Sequence, residues 1–230
     1  MKILFLGEKA EGSAEYVRDC LLELGHDVVH FGFDQKIPDF KDNYNAIIVS
    51  DYPSKEISSG QSKAIIKMVE NGSRFIMIGG WGSFNGKGNS YYGHPLADCL
   101  PVILSPKDDR NNVPQGLVIF PDPDLHTDMP INWLEPPIVC GYNAAMPKDT
   151  AQVLVWMKPV QTDGSKIMLK KPVPLVIKNF FGKGVSIACL TDLAPHWCGG
   201  LVDWGSRRLG LAHVEIGDMF ILFVQLLLEI

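Results

Sequence analysis

The chain has 230 residues, 46% hydrophobic and 20% charged, with a formal net charge of −5 and an isoelectric point near 5.7. That balance suits a globular chain with a substantial core. With no basic face evident, it excludes a general nucleic-acid or anionic-membrane partner.

Residues 2–6 form a short apolar run closed by Gly7, which predicts a buried parallel strand. The run is too short for the apolar region of a signal peptide. Ser13 is placed to cap a helix in which Tyr16, Val17, Cys20, Leu21 and Leu24 recur at helical spacing, with Gly25 as its stop. Residues 27–33 and 45–51 read as the second and third strands, with the helix between them missing or reduced to a turn. A second amphipathic pattern covers residues 61–70, and Asn71-Gly72 ends it. Residues 74–78 then complete a strand–helix alternation, the signature of a doubly wound, mostly parallel α/β sheet.

Past residue 94 the texture changes. Residues 95–100 allow one or two helical turns, and 102–104 a short strand. Residues 105–137 are rich in Pro, Asp and Asn and read as a long irregular insertion with a strand at 116–120. Strands are expected at 138–142, 151–157, 173–179 and 185–191, with turns at Pro147-Lys148, Asp163-Gly164 and Gly182-Lys183-Gly184. A helix over 214–230 closes the chain. Its apolar run of about a dozen residues falls short of the roughly 20 that span a bilayer. With no repeat or linker, residues 1–230 read as a single domain whose second half adds antiparallel strands.

The stretch RFIMIGGWGSFNGKGNSYYGHP, residues 74–95, carries most of the chemistry. Six glycines fall between 79 and 93, interleaved with Trp81, Ser83, Phe84, Tyr91, Tyr92 and His94. Glycines permit positive φ and close backbone approach, and ligands in open α/β sheets bind past the carboxyl ends of strands. A connector has little need of four aromatic residues. A second polar strand end follows residue 191, at Asp192, His196 and Trp197. If the two strand ends are neighbours, a pocket forms between them, with Gly80, Trp81, Gly82, Phe84, Tyr92, His94 and Trp197 as ligand-binding residues. Aromatic walls with a few polar groups suit a small polar metabolite.

Phosphate motifs fail. Gly86-Lys87 lacks the upstream glycine and the following Ser/Thr of a P-loop, and Gly80-x-Gly82 meets Asn85 where a dinucleotide fingerprint needs its third glycine. Trp81-Gly82-Ser83-Phe84-Asn85 approaches a nucleophile elbow without its flanking glycines. Ser83 as nucleophile with His196 as base and Asp192 as its orienter would make a hydrolase. The bland alternative has Ser83 capping a turn and His196 bonded to the backbone. His94, His126, Asp192, His196 and the acidic run Asp122, Asp124 and Asp128 show no metal-ligand spacing, so neither a metal nor a cofactor is expected. The cysteines at 20, 99, 140, 189 and 198 form no CxxC pair; an odd, scattered set reads as reduced thiols in a cytoplasmic protein.

The segments FIMIGGWGSFNGKG…YYGHPLADCLPV, PPIVCGYNAAMPK and FGKGVSIACLTDLAPHW together resemble the glutamine amidotransferase-like family, related to the class I glutamine amidotransferases. The resemblance covers most of the chain and implies a flavodoxin-like sheet. It also implies a departure in chemistry. A class I glutaminase has a cysteine in the elbow and a His-x-Glu pair after a later strand. Here residues 74–98 hold no cysteine, and His196 is followed two residues on by Cys198. The resemblance thus implies a ligand-binding relative without ordinary glutaminase activity. A hydrolase using Ser83, or a non-catalytic homo-oligomeric assembly module, are the alternatives.

Overall fold

The computed structural model describes residues 1–9, 12–40, 43–86, 90–163, 166–169 and 171–230, and their side chains except at 161–163, 166–169, 196 and 198. Gly164 of the expected turn, Lys87 and Gly88 of the glycine-rich loop, and the side chains of His196 and Cys198 therefore lie outside the described residues.

The first half is a wound parallel sheet. Strands β1 (Lys2–Gly7), β2 (Asp27–Gly32), β3 (Ala46–Ser50) and β4 (Arg74–Ile78) alternate with helices α1 (Ala14–Glu23) and α2 (Ser59–Glu70). β1 pairs in parallel with both β2 and β3, and β3 with β4. The chain then runs through a 3₁₀ turn (Pro95–Cys99) and strands β5 (Val102–Ile103), β6 (Arg110–Pro121), β7 (Ile138–Asn143), β8 (Met146–Pro147), β9 (Gln152–Asp163), β10 (Lys166–Leu169), β11 (Val173–Phe181) and β12 (Gly184–Cys189). Helix α3 (Pro195–Val202), the hairpin β13 (Arg208–Gly210) and β14 (Glu215–Gly217), and helix α4 (Asp218–Glu229) complete it.

The main sheet runs β2-β1-β3-β4-β12-β11-β9-β6-β7, with β10 attached to β9. β12 joins the two halves, parallel to β4 on one side and antiparallel to β11 on the other. The five parallel strands thus reproduce the 2-1-3-4-5 order of flavodoxin-like sheets, whose direction of winding reverses between β1 and β3. The α/β class with an antiparallel second half holds.

Central strands are apolar on both faces because both are covered. Ile3, Phe5, Ile48, Ile76, Ile78 and Ile187 face α1 and α4 across one buried cluster. Leu4, Leu6, Ile47, Val49, Phe75 and Met77, alternating with them, face α2 across the other. Within α2 the apolar positions Ile65, Met68 and Val69 make the buried stripe. Its start is fixed by a capping box, in which the Gln61 N–H donates to Ser58 Oγ at 3.2 Å and the Ser58 N–H to Gln61 Oε1 at 2.8 Å.

Three expectations need correction. Ser13 sits at the start of α1 but caps nothing with its side chain, because its own backbone is already helical, at φ −60 and ψ −32. The insertion over 105–137 is not uniformly irregular: twelve residues of it, Arg110–Pro121, form a sheet strand. Gly116 (φ +88) relieves the register shift there, since a Cβ would stand 2.3 Å from Ile138 Cγ2. The last helix begins at Asp218 rather than 214, because β14 is drawn into pairing with β13. Asp218 Oδ1 then accepts the Ser206 N–H at 3.1 Å, tying the hairpin to the helix start. Past Asp192, where the sequence assigns no element, the chain is helical over Pro195–Val202, with proline in the first turn where its missing N–H costs nothing.

Helix α4 is almost wholly buried, and the Arg74 guanidinium donates to the Ile230 and Glu229 carbonyls at its end. Phe223 is fully buried, whereas Phe180 on β11 is 69% exposed. Phe223→Ala should therefore lower the unfolding free energy by about 3–5 kcal/mol, and Phe180→Ala by no more than about 0.5 kcal/mol, as measured by urea denaturation.

Candidate functional site

The expected neighbours are neighbours. Because β4 and β12 pair with Ile78 opposite Cys189, the Gly79 N–H donates to the Cys189 carbonyl at 2.7 Å and to the Thr191 carbonyl at 3.1 Å. The glycine-rich loop leaves the sheet at that point. What holds it is a set of polar contacts reaching in from three other strand ends.

The first comes from β3. Asp51, the residue after that strand, is buried and adopts a left-handed conformation at φ +49. Its Oδ1 accepts the Gly82 N–H at 2.6 Å, and its own N–H donates to Ser83 Oγ at 3.0 Å. A Cβ on Gly80 would stand 2.1 Å from Asp51 Oδ1, and one on Gly82 2.8 Å from the Asp51 carbonyl oxygen. The glycines are thus required by how closely the loop crosses Asp51. Phe84, also left-handed at φ +50, is the second non-glycine residue in that region among the described residues. Such conformations cost of order 1–3 kcal/mol each and cluster at functional sites.

The second and third supports come from β7 and from the residue before β6. Asn143 is fully buried; its Oδ1 accepts the Gly80 N–H at 2.8 Å, while its Nδ2 donates to the Gly80 carbonyl at 3.1 Å and to Asp109 Oδ1 at 2.8 Å. Asp109 Oδ2 accepts the Asn85 N–H at 2.8 Å. Burial pushes the Asp109 carboxyl above its ordinary range, with the Asn143 and Asn85 donors partly offsetting it. The sign follows: its contribution to stability is full while it is protonated and is lost as pH rises from the ordinary carboxylate range through the raised value.

These contacts distribute the expected site residues unevenly. Ser83 is fully buried, with its hydroxyl spent on the Asp51 N–H. Phe84 is also fully buried, within the α2-side core. Trp197 lies flat over Gly141, whose Cβ would stand 2.5 Å from the ring, and its Nε1–H donates to Asn112 Oδ1 at 3.1 Å. Asp192 is buried. His94 is half-buried; its Nδ1 accepts the Leu96 N–H at 3.3 Å, and desolvation lowers its pKa against a weaker pull from the Ile57 carbonyl. Trp81 and Tyr92 alone among the expected aromatic walls are open, 53% and 54% exposed. The Arg110 guanidinium lies 4.5 Å from the Trp81 ring centroid and is held there by a bidentate pair with Asp108, at 2.9 and 2.7 Å.

Open space lies on the β3 side of the loop. A crevice of about 350 Å³ is lined by Glu8 after β1, Phe33 after β2, Asp51 after β3, and Trp81 and Gly82 after β4, with Lys55 and Glu56 at its rim. It sits over the point where the winding reverses, where open α/β sheets hold their ligands. Phe33 and Glu56 also border a second lobe of about 770 Å³ along residues 33–39. No group of three or more potential metal ligands occurs among the described residues, and no described helix is long and apolar enough to cross a membrane.

Sequence reasoning missed Asp51, Asp109 and Asn143. A signal existed for Asp51, which closes the apolar run AIIVSD as Asp192 closes SIACLTD. None existed for Asn143, which the sheet brings in from 63 residues away. Asn143→Ala would leave both Gly80 backbone groups and Asp109 short of partners, and should destabilise the protein by about 2–4 kcal/mol in urea denaturation.

The described cysteines offer no substitute nucleophile at the loop. Burial, the leading cause, pushes the Cys99 and Cys189 thiols up to about 12 and raises Cys20 as well. Cys140 is exposed on β7. Alkylation at neutral pH should therefore modify Cys140 quickly and spare Cys20, Cys99 and Cys189 until the protein unfolds, as read by peptide mass.

A family model described as "Putative glutamine amidotransferase" matches residues 5–211. No curated protein matches the chain. Among solved structures, the chain resembles cytoplasmic protein STM1381 from Salmonella typhimurium LT2, at 26% identity and a TM-score of 0.71 over 86% of this chain and 90% of that one. It resembles cytoplasmic protein STM3548 from the same species at 23% identity and a TM-score of 0.75, over 100% and 99% of the two chains. The fold recurs within the beta-galactosidase from Rahnella sp. R3, at 14% identity and a TM-score of 0.52, where the match takes up 28% of the longer chain.

Proposed function

The chain belongs to the glutamine amidotransferase-like family, and on that premise we propose that it binds a small polar metabolite in the crevice between Asp51 and Trp81 and lacks ordinary glutaminase chemistry. The observation that carries the reading is the use made of the loop after β4. Where an amidotransferase would present its cysteine, this chain has Trp81-Gly82-Ser83-Phe84-Asn85. The polar atoms there are turned inward to fix the loop, leaving Trp81 and the half-buried Glu8 to line the open space beside Asp51. A preformed cleft with an aromatic wall and a few convergent polar groups is the usual form of a small-molecule site.

The hydrolase built on Ser83, His196 and Asp192 has less support. A serine nucleophile must be open to substrate and hand its proton to a base, and Ser83 is buried beneath the loop as an acceptor. We place the protein in the cytoplasm; the described cysteines are unpaired thiols, and both Salmonella proteins carry that description.

The test pairs two measurements. Incubation with glutamine should release no ammonia above a protein-free blank. A metabolite panel followed by thermal denaturation should find a ligand that raises Tm. At 100 times its dissociation constant such a ligand adds about 2.7 kcal/mol, roughly 5–10 °C for a chain of this length. Trp81→Ala should abolish the shift without lowering the unliganded Tm by more than about 2 °C. Ammonia release, or a ligand shift that Trp81→Ala leaves intact, would overturn the reading.

A further inference from the structure

We infer that Arg110, fixed by Asp108, is the positioning residue of Trp81: it backs the indole ring and keeps it in place as a wall of the crevice. The inference rests on the reading of that crevice as the binding site, and goes further by naming what holds the wall.

Trp81 needs such a support. It is 53% exposed, so core packing does not fix its ring. Exposed side chains change rotamer within picoseconds to nanoseconds unless something restrains them. The Arg110 guanidinium lies 4.5 Å from the ring centroid. A contact of this kind at an exposed site shifts an equilibrium about two- to fivefold, through attraction of the cation to the ring quadrupole. Trp81 lines the crevice and Arg110 does not. The guanidinium therefore covers a part of the ring that is turned away from the open space.

Arg110 is itself anchored. Its side chain is only 14% exposed. Its Nε–H donates to Asp108 Oδ1 at 2.9 Å and an Nη2–H to Asp108 Oδ2 at 2.7 Å, while its backbone N–H donates to Asp108 Oδ1 at 3.2 Å. Two parallel bonds to one carboxylate set the plane of a guanidinium as well as its place, and that plane is what stacks on an aromatic face. A lysine has no such fork.

The same segment grips the loop at a second point. Asn85 Nδ2 donates to the Ser105 carbonyl at 2.6 Å and to the Lys107 carbonyl at 2.9 Å, and the Asn85 N–H donates to Asp109 Oδ2 at 2.8 Å. Beside it the chain turns tightly at Gly86, where a Cβ would stand 2.1 Å from the Trp81 carbonyl oxygen and 3.5 Å from Arg110 Cδ. Residues 105–110 thus hold the backbone through Asn85 and the ring through Arg110, and none of them lines the crevice. A wall fixed before binding spares a ligand the cost of ordering it.

Fluorine NMR of the protein labelled with fluorotryptophan, with no compound added, tests the inference. The five tryptophans give five lines, and Trp81→Phe identifies that of Trp81. Arg110→Ala should change the balance of held and released ring about two- to fivefold. The Trp81 line should then narrow and move toward its position in urea, while those of Trp133, Trp156 and Trp204 stay in place. Asp108→Asn should give a smaller change in the same direction, and Arg110→Lys, which keeps the charge, should recover part of the loss. Circular dichroism checks each fold, and Asp108→Asn carries the test if Arg110→Ala does not fold. A Trp81 line that stays unmoved would overturn the inference. So would equal movement of the Trp133, Trp156 and Trp204 lines, which would make Arg110 a support of the whole fold, or an Arg110→Lys spectrum identical to that of Arg110→Ala. Failure of the metabolite panel overturns the reading of the crevice alone, and failure here leaves that reading standing.

Discussion

The contact on which the site depends is the passage of the Gly80–Gly82 backbone over Asp51. A carboxylate oxygen takes the Gly82 N–H at 2.6 Å, and there is no room for a side chain at Gly80 or Gly82. That closeness fixes the ends of β3 and β4 to one another, next to the place where the sheet's winding reverses. It also decides what the loop can offer. Backbone groups and Ser83 are consumed in holding the crossing, while the ring of Trp81 stays exposed. The loop of this amidotransferase-like fold is thereby fixed by its own polar groups.

The second support of the site comes from the half of the chain that the fold family's parallel core does not need. Asn143 on β7 and Asp109 ahead of β6 are brought beneath the loop by antiparallel strands. The desolvation that lifts the Asp109 carboxyl is tolerated because two donors are aimed at it. Antiparallel additions in this chain are therefore structural partners of the site as well as extensions of the sheet.

Much of the architecture was legible in the sequence, for a physical reason. Buried parallel strands must be apolar on both faces, so runs such as residues 46–50 and 74–78 stand out, and helices with one buried face show their period. The adjacency of the ends at 78 and 191 could also be anticipated. Less legible were features set by tertiary pairing. β14 looks like the first turn of a helix until β13 is beside it, and Arg110–Pro121 looks like a loop because only part of it is apolar. In the candidate site, glycine density marks a loop that the fold does place at a strand end, but the burial of Phe84 and the seat of Trp197 on Gly141 leave no local pattern.

The place of β12 in the sheet has a consequence for biosynthesis. β4 ends at Ile78, yet its partner on one side begins at Gly184. During translation at about 5–20 residues per second, roughly a hundred residues must emerge before that partner arrives, a delay of about 5–20 s. Throughout it the nascent chain carries a complete β2-β1-β3-β4 ribbon with a bare, apolar edge, the kind of template on which other strands pair. The protein thus asks most of the cell's chaperones at its midpoint, and the strand that ends this exposure is the same one that closes the sheet beside the glycine loop.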